Sequence, residues 1–193
     1  MKEVPEKIPF MGTSCCPAWS VMAKKTVPQL ANCISMALTP MVLTARLLKQ
    51  EEPDCKIVFV GPCAAKKLEA MRTDIRSDVD FVLTFEEMDG IFDARHVDVE
   101  KIEEDPEGVN DASMDGRNFA VAGGVAKSVV DVIHERYPDK EIKVANAEGL
   151  KECRKLLTMA KAGKYNGYLL EGMAEGVWPG LAPCSLLRSP RPP

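Results

Sequence analysis

The sequence predicts an α/β fold with largely parallel sheets. Three observations predict it: short apolar runs rich in β-branched residues, amphipathic stretches of helical length between those runs, and glycine or proline near most junctions. A chain of 193 residues, 46% hydrophobic and 28% charged, is typical of a globular protein with an ordinary core.

Capping signals and one apolar run define the elements in the first half of the chain. Thr39 and Pro40 provide an N-cap and a first helical residue, and Thr84 with Glu87 matches a capping box. Lys-Ile-Val-Phe-Val at residues 56–60 is short and β-branched, as buried strands are. The predicted elements are an irregular lead-in over residues 1–12, helices over 20–32, 40–51, 63–72 and from Thr84 to about Ala94, and strands over 56–60 and 79–83.

The second half continues the alternation after an acidic stretch, residues 98–117, that we predict to be a surface loop. Gly123 and Gly124 lead into the next amphipathic helix. The predicted strands are 119–122, 142–145 and 168–170, and the predicted helices are 125–136 and 149–162. From Glu175 onward five of nineteen residues are proline, so residues 175–193 are predicted to be irregular and disordered.

Charge and hydropathy argue against several classes of function. The net charge of −4 lacks the basic excess of nucleic-acid-binding and membrane-surface proteins. No apolar run is long enough to span a membrane, and no secretory leader precedes the first motif, so a cytoplasmic location is expected. Seven cysteines, an odd number, then indicate reduced thiols rather than a disulfide framework.

Two cysteine motifs and a short third segment stand out. Residues 13–19 read Thr-Ser-Cys-Cys-Pro-Ala-Trp, where a proline-initiated helix favours a thiolate at its positive end. Residues 61–69 read Gly-Pro-Cys-Ala-Ala-Lys-Lys-Leu-Glu and follow a buried strand, a place where α/β folds bind ligands. Lys66 lies one turn after Cys63, within reach of the same site. The third segment, residues 171–174, also follows a strand and is uninformative alone.

The remaining cysteines and histidines have plainer interpretations. Cys33, Cys55 and Cys153 adjoin apolar stretches and are predicted to be structural. Cys184 is predicted to be an exposed, incidental thiol, and His96 and His134 to be solvated surface residues.

Taken in order, the three segments resemble the catalytic domain of [FeFe]-hydrogenases. The family patterns Thr-Ser-Cys-Cys-Pro-x-Trp and Pro-Cys-x-x-Lys-x-x-Glu are matched at every fixed position, by residues 13–19 and 62–69. The resemblance extends over about residues 9–174 and includes Leu-Thr-Phe-Glu-Glu at 83–87. It implies two α/β lobes, each with a small parallel sheet, and a cluster in the cleft between them.

The cofactor implied by the resemblance is the H-cluster, a [4Fe–4S] cube joined through a cysteine sulfur to a two-iron site. By resemblance, Cys16 and Cys63 are ligands of the cube, and Cys15 is the proton-donating thiol beside the two-iron site. Lys66 hydrogen-bonds a cyanide of that site, Met173 packs near it, and Ser35 is a proton-relay hydroxyl. The implied activity is reversible reduction of protons to H2, with ferredoxin or another electron carrier as the partner.

The chain departs from the family pattern after Ala174. The family continues with Cys-x-Gly-Gly-Cys, whose two cysteines complete the cube's ligands, whereas residues 175–179 here are Glu-Gly-Val-Trp-Pro. With suitable codons, the nucleotides for residues 174–187 read Gly-Gly-Cys-Val-Ala-Gly-Ala-Gly-Thr-Leu-Leu in another frame, so we hypothesise a frameshift. Resequencing that finds the same frame as in intact relatives would overturn this hypothesis.

The chain also resembles only the middle of a family member, so an incomplete or inactive fragment is expected. Family members carry more of the catalytic domain, and usually ferredoxin-like cluster domains, before the first motif. Three alternatives remain open: an iron–sulfur assembly relative with a cube but no two-iron site, a sensory module of the hydrogenase type, and a metal-free remnant. Cys15, Cys16 and Lys66 favour the hydrogenase branch.

Overall fold

The computed structural model describes residues 1, 3–103, 113–119, 121–174 and 185–188. Its strands are β1 (Met11–Gly12), β2 (Ile57–Gly61), β3 (Phe81–Thr84), β4 (Lys143–Glu148), β5 (Tyr168–Met173) and β6 (Ser185–Arg188). Its α-helices are α1 (Pro17–Thr26), α2 (Pro40–Glu51), α3 (Ala65–Ala70), α4 (Phe85–Ala94), α5 (Met114–Asn118), α6 (Gly124–Arg136) and α7 (Gly149–Lys161). Short 3-10 helices occupy Pro28–Cys33 and Val99–Lys101.

The described residues form two compact units. The first unit lies within Met1–Thr39 and Asp115–Pro183, and the second within Pro40–Met114 and Cys184–Pro193. Each contains one three-stranded sheet. The predicted α/β class with small, mainly parallel sheets is therefore confirmed.

The sheet of the first unit has the strand order β1-β5-β4, and both pairings are parallel. Met11 lies opposite Leu169 and Lys143 lies opposite Tyr168. The core below this sheet combines residues of α1 and α7 with the segment before β1. Its largest fully buried side chains are those of Trp19, Phe10, Ile34, Leu157 and Leu170.

The sheet of the second unit has the strand order β3-β2-β6. β2 pairs parallel with β3 and antiparallel with β6. Residues of α2 cover it, because Met41, Val42 and Ala45 recur at helical spacing and pack against Ile57 and Phe59 of β2. The buried end of β2 thus leads directly into the second cysteine motif.

The helix signals in the sequence are confirmed most closely where capping chemistry is explicit. Thr84 Oγ1 accepts the N–H of Glu87, and the Glu87 carboxylate accepts the N–H of Thr84, so the capping box exists and α4 ends at Ala94 as predicted. α2 has the predicted bounds. α1 begins at Pro17, as the first motif predicts, because Cys16 is extended and proline suits the first helical position. The coarser prediction of one helix over 20–32 is wrong, since α1 ends at Thr26 and a 3-10 helix begins at Pro28.

Several sequence predictions are wrong in the described residues. Helix α5 and the 3-10 helix Val99–Lys101 lie within or overlap the predicted surface loop of residues 98–117, because local backbone bonds form there. Residues 171–173 continue strand β5 rather than follow it, because they pair with β4. Met11 and Gly12 form strand β1 inside the predicted irregular lead-in, a two-residue pairing too short for periodicity to reveal. Residues 119, 121 and 122 form turns rather than a strand, because the chain there closes onto the start of α6. Residues 185–188 form β6 rather than irregular structure, because their backbone pairs with β2.

Other predictions fall partly outside the described residues. Residues 175–184 and 189–193 of the predicted tail, and residues 104–112 of the predicted loop, lie there, as does Cys184. Cys33, Cys55 and Cys153 are buried, and His96 and His134 are exposed, as predicted. In the described part of the chain, no helix combines the length and the apolar character needed to cross a bilayer.

Candidate functional site

The first cysteine motif lies at the start of α1. Cys16 is the N-cap residue of this helix, and Pro17 is its first residue. Cys15 and Cys16 are both partly exposed. The Cys16 Sγ accepts the N–H of Ala174 at 3.4 Å, so the thiol of the first motif bonds the last residue of the third segment. Cys16 thus lies at the N-terminus of α1 with a backbone donor on its sulfur.

Trp19 locks the first motif against the third segment. Its side chain is fully buried, and its Nε1 donates to the Thr13 carbonyl at 3.0 Å. Gly172 packs directly against the indole ring: a Cβ added at Gly172 would come within 2.2 Å of Trp19 Cδ2. Only glycine permits this approach without moving one of the two motifs.

The predicted relay residue, Ser35, lies beside the first motif. The Ser14 hydroxyl donates to the Ala37 carbonyl at 2.9 Å, and the Ala37 N–H donates to the Ser35 Oγ at 3.1 Å. The Ser35 N–H donates to the Gly12 carbonyl at 2.8 Å. Short polar contacts therefore tie Ser35 to the residues on either side of Thr13.

Met173 ends β5 and is held through its backbone. The Cys153 Sγ donates to the Met173 carbonyl at 3.5 Å and to the Ala147 carbonyl at 3.4 Å. Burial, with the neighbouring Cys16 thiol as a second cause, raises the pKa of Cys153 to about 11. Cys153 therefore stays a protonated donor at neutral pH and braces β5 rather than acting as a thiolate.

The second motif lies at the junction of β2 and α3 in the second unit. The Cys63 Sγ accepts the N–H of Ala65 at 3.4 Å, so this thiol also has a backbone donor. The Lys66 Nζ lies 2.8 Å from the Glu69 Oε2, and the two side chains are only 11% and 3% exposed. The ammonium also lies 5.8 Å from the centre of the Phe59 ring. Glu69 and Phe59 thus hold the Lys66 ammonium close to the second motif.

The structure brings four predicted site residues together in the first unit: Cys15, Cys16, Ser35 and Met173. The other two, Cys63 and Lys66, lie one turn apart in the second unit. Within the ranges that the structure describes, no three His, Cys, Asp or Glu side chains are grouped so as to hold a metal ion.

The residues present fit a thiolate-bound cluster in donor chemistry. Cys16 and Cys63 each follow an extended segment, precede a helix and accept a backbone N–H, the setting that stabilises cluster-bound thiolates. The buried Thr13 hydroxyl in the first motif has no hydrogen-bond partner among the described residues. Buried hydroxyls are rarely left so, and a polar group or water bound beside the motif would satisfy it.

Glu171 opens the third segment, but the sequence pattern predicts no role for its side chain. Its side chain is fully buried, and its two carboxylate oxygens accept the N–H groups of Gly123 at 3.0 Å and Ala126 at 2.7 Å. Burial raises the pKa of this carboxyl, and the two backbone bonds oppose that shift. The one signal in the sequence was a glutamate placed directly after the apolar strand residues Leu169 and Leu170.

Comparison with known protein families identifies the class of this chain. The family model described as "Iron only hydrogenase large subunit, C-terminal domain" matches residues 1–174. The chain therefore belongs to this family of iron-only hydrogenase domains.

Curated relatives include hydrogenases and an assembly factor. The chain is 26% identical to the periplasmic [Fe] hydrogenase large subunit of Nitratidesulfovibrio vulgaris, over 84% of this chain and 48% of that protein. It is 30% identical to iron hydrogenase 1 of Clostridium pasteurianum, over 85% of this chain and 32% of that protein. It is also 38% identical, over 42% of this chain and 17% of the relative, to the cytosolic Fe-S cluster assembly factor NAR1 of Kluyveromyces lactis.

The fold is shared with solved [FeFe]-hydrogenases. A variant of apo HydA1 from Chlamydomonas reinhardtii aligns with a TM-score of 0.68 at 22% identity, over 89% of this chain and 61% of that chain. The chain thus spans less than half of the two hydrogenases compared by sequence and about three fifths of this structure.

Proposed function

We propose that this chain is part of an [FeFe]-hydrogenase H-cluster domain, in which Cys16 and Cys63 are thiolate ligands of a [4Fe–4S] cube. The carrying observation is the Cys16 Sγ, which accepts the N–H of Ala174 at the point where the family's remaining cysteine motif begins. This contact joins the first and third segments at the thiol that the resemblance assigns to the cube. Cys63 repeats the same backbone setting in the second unit.

The other site residues supply proton transfer and orientation in this proposal. Cys15 is the thiol that passes a proton to the two-iron site, and the Ser35 hydroxyl relays protons toward Cys15. Their support is the pair of hydrogen bonds through Ala37 that connect Ser14 with Ser35. Lys66 donates to a negatively charged ligand of the two-iron site, and Glu69 fixes its ammonium for that contact. Met173 packs near the same site.

The bound H-cluster supplies the electron transfer and the chemistry that joins two protons into H2. Ferredoxin or another electron carrier is the proposed partner of the intact protein. We also propose a cytoplasmic location, which rests on the sequence: seven cysteines, an odd number, favour reduced thiols.

A second candidate function is an iron–sulfur assembly role without the two-iron site. The specific observation in its favour is the similarity to NAR1, which at 38% is higher in identity, though over a shorter stretch, than that to either hydrogenase. In this alternative the cube is retained, but Cys15 and Lys66 have no two-iron site to serve.

Anaerobic reconstitution with iron and sulfide tests the proposal. The unaltered chain is compared with a motif-completed chain, in which residues 175–179 are replaced by Cys-x-Gly-Gly-Cys. We expect the motif-completed chain to bind about four irons per chain and to show the EPR signal of a reduced cube, since cubes take four cysteine ligands. The unaltered chain, with two of those thiolates, is expected to bind less iron and to lose it to a chelator.

Each outcome has a defined meaning. Equal, stable cubes in both chains would show that another group replaces the family's last two cysteines. A cube in neither chain would contradict the proposal that these residues form a cluster site. Adding a synthetic two-iron precursor to the cube-loaded chain then separates the two candidates: H2 production supports the hydrogenase, and a stable cube without H2 production supports the assembly relative.

A further inference from the structure

A single buried carboxylate connects the third segment to helix α6. Both oxygens of Glu171 are occupied by backbone donors in the first turn of α6 and the residue before it, and the side chain is fully buried. The donors, Gly123 and Ala126, lie 48 and 45 residues earlier in the chain. These two hydrogen bonds therefore join β5 to the start of α6, two parts of the first unit that are far apart in sequence.

The start of α6 is built to receive this carboxylate. Gly123 adopts a φ of 78°, a left-handed conformation that suits glycine and turns its N–H toward β5. Gly124 approaches the backbone of Asn118 so closely that an added Cβ would lie 1.9 Å from the Asn118 carbonyl oxygen. The first N–H groups of a helix lack partners within the helix, so a carboxylate satisfies them and complements the helix dipole.

The four residues from Glu171 to Ala174 are each held by α1, α6 or α7 or by the N-cap residue of α1. Glu171 bonds α6, Gly172 packs on Trp19 of α1, and the Met173 carbonyl accepts from Cys153 of α7. The Ala174 N–H then donates to the Cys16 Sγ. Loss of the Glu171 bonds would therefore shift residues 171–174, and the last of these residues donates to the Cys16 sulfur.

We propose that Glu171 is a positioning residue of the candidate cluster site, whose carboxylate ties β5 to α6 and thereby fixes the Ala174 amide on the Cys16 sulfur. The proposal rests on the proposed function for the meaning of that thiol, but the contact itself belongs to the chain without iron. Glu171 acts through the backbone and touches neither thiol nor cluster.

The test measures the reactivity of individual thiols in the iron-free chain. Glu171→Gln keeps the size of the side chain but turns one oxygen into an amino group that faces a backbone donor. We expect iodoacetamide to alkylate Cys16 about tenfold faster in this variant. Without the charged bonds of Glu171 the Ala174 N–H is no longer held on the Cys16 sulfur, and a sulfur without that donor is more accessible and more nucleophilic. Mass spectrometry measures the alkylation of each cysteine separately. Hydrogen exchange of the Gly123, Ala126 and Ala174 amides is measured in the same variants.

Controls separate positioning from loss of fold. Cys33 is a buried thiol of the same unit, and its alkylation rate is expected to stay unchanged in Glu171→Gln. Glu135→Gln removes the same charge from an exposed position near the opposite end of α6, and should leave Cys16 as in the parent chain. Glu171→Asp retains the carboxylate, so we expect its Cys16 to be alkylated at a rate between those of the parent chain and Glu171→Gln. If Glu171→Gln does not fold, Glu171→Asp is compared with the parent chain in its place.

Two results would overturn the proposal. One is faster exchange at Gly123 and Ala126 with no change at Ala174 and Cys16, which would make Glu171 a cap of α6 and nothing more. The other is an equal rise in the reactivity of Cys16 and Cys33, which would mean general unfolding. If the thiol result holds but the motif-completed chain binds no iron, the positioning stands and the proposed function fails. If the motif-completed chain binds iron but Cys16 is alkylated no faster in Glu171→Gln, the proposed function stands and the positioning role of Glu171 is overturned.

Discussion

Replacing Lys66 with alanine is expected to destabilise the second unit by about 3–5 kcal/mol, because it leaves the Glu69 carboxylate buried without its cation. The Glu69 side chain is 3% exposed, and its oxygen lies 2.8 Å from the Lys66 ammonium. Urea unfolding followed by circular dichroism measures this loss. Lys66→Met combined with Glu69→Leu should recover most of it, since a buried ion pair replaced by apolar side chains is often neutral.

Lys67→Ala is the matched control for that prediction. Lys67 is the next residue along α3 and pairs with Glu87, but the side chains of this pair are 36% and 44% exposed. Solvent screens such a pair, so Lys67→Ala is expected to lose far less stability than Lys66→Ala. Equal losses in Lys66→Ala and Lys67→Ala would contradict the view that Lys66 and Glu69 form a buried, preorganised pair.

Replacing Gly172 with alanine is expected to cost about 3 kcal/mol or more of the unfolding free energy of the first unit. The new methyl group would lie 2.2–2.7 Å from three atoms of the Trp19 ring. The ring has no room to retreat, because it is fully buried and its Nε1 is bonded to the Thr13 carbonyl. Thermal unfolding of the first unit measures the effect, and increased alkylation of Cys16 should accompany it.

Gly90→Ala is the control for a glycine that packs against nothing. Gly90 lies inside α4, and an added Cβ meets no atom within 4 Å among the described residues. Alanine is the better helix former, so this variant should gain about 0.5–1 kcal/mol. A Gly172→Ala chain as stable as the Gly90→Ala chain would mean that Trp19 does not lock the first motif to the third segment.

Local chemistry made part of the fold predictable. The capping box of Thr84 and Glu87 and the bounds of α2 follow from side chains that satisfy nearby backbone groups, so they are visible in sequence. Strand β1 is different, because two residues carry no periodicity and their pairing with β5 depends on contacts made across the whole first unit. Residues 119, 121 and 122 show the converse error, since they lie in the turn that leads into α6 although the sequence there is apolar.

The candidate site likewise combines residues that the sequence predicts with contacts that only the folded structure shows. Cys15, Cys16, Cys63 and Lys66 could be proposed from the sequence because their motifs are contiguous, and the structure places them at or beside the starts of α1 and α3. Glu171 was missed because its partners, Gly123 and Ala126, are distant in sequence. Cys153 was expected to be structural, and its burial agrees; its bond to the Met173 carbonyl required the packing of α7 against β5.

The most direct test of the central claim is the iron content and EPR spectrum of the motif-completed chain and two of its variants, Cys16→Ala and Cys33→Ala. We expect Cys33→Ala to keep about four irons and the signal of the reduced cube, whereas Cys16→Ala loses both, because a thiolate ligand is gone. If Cys16→Ala retains as much iron and the same spectrum as Cys33→Ala, Cys16 is not a ligand and the proposed cluster site is contradicted.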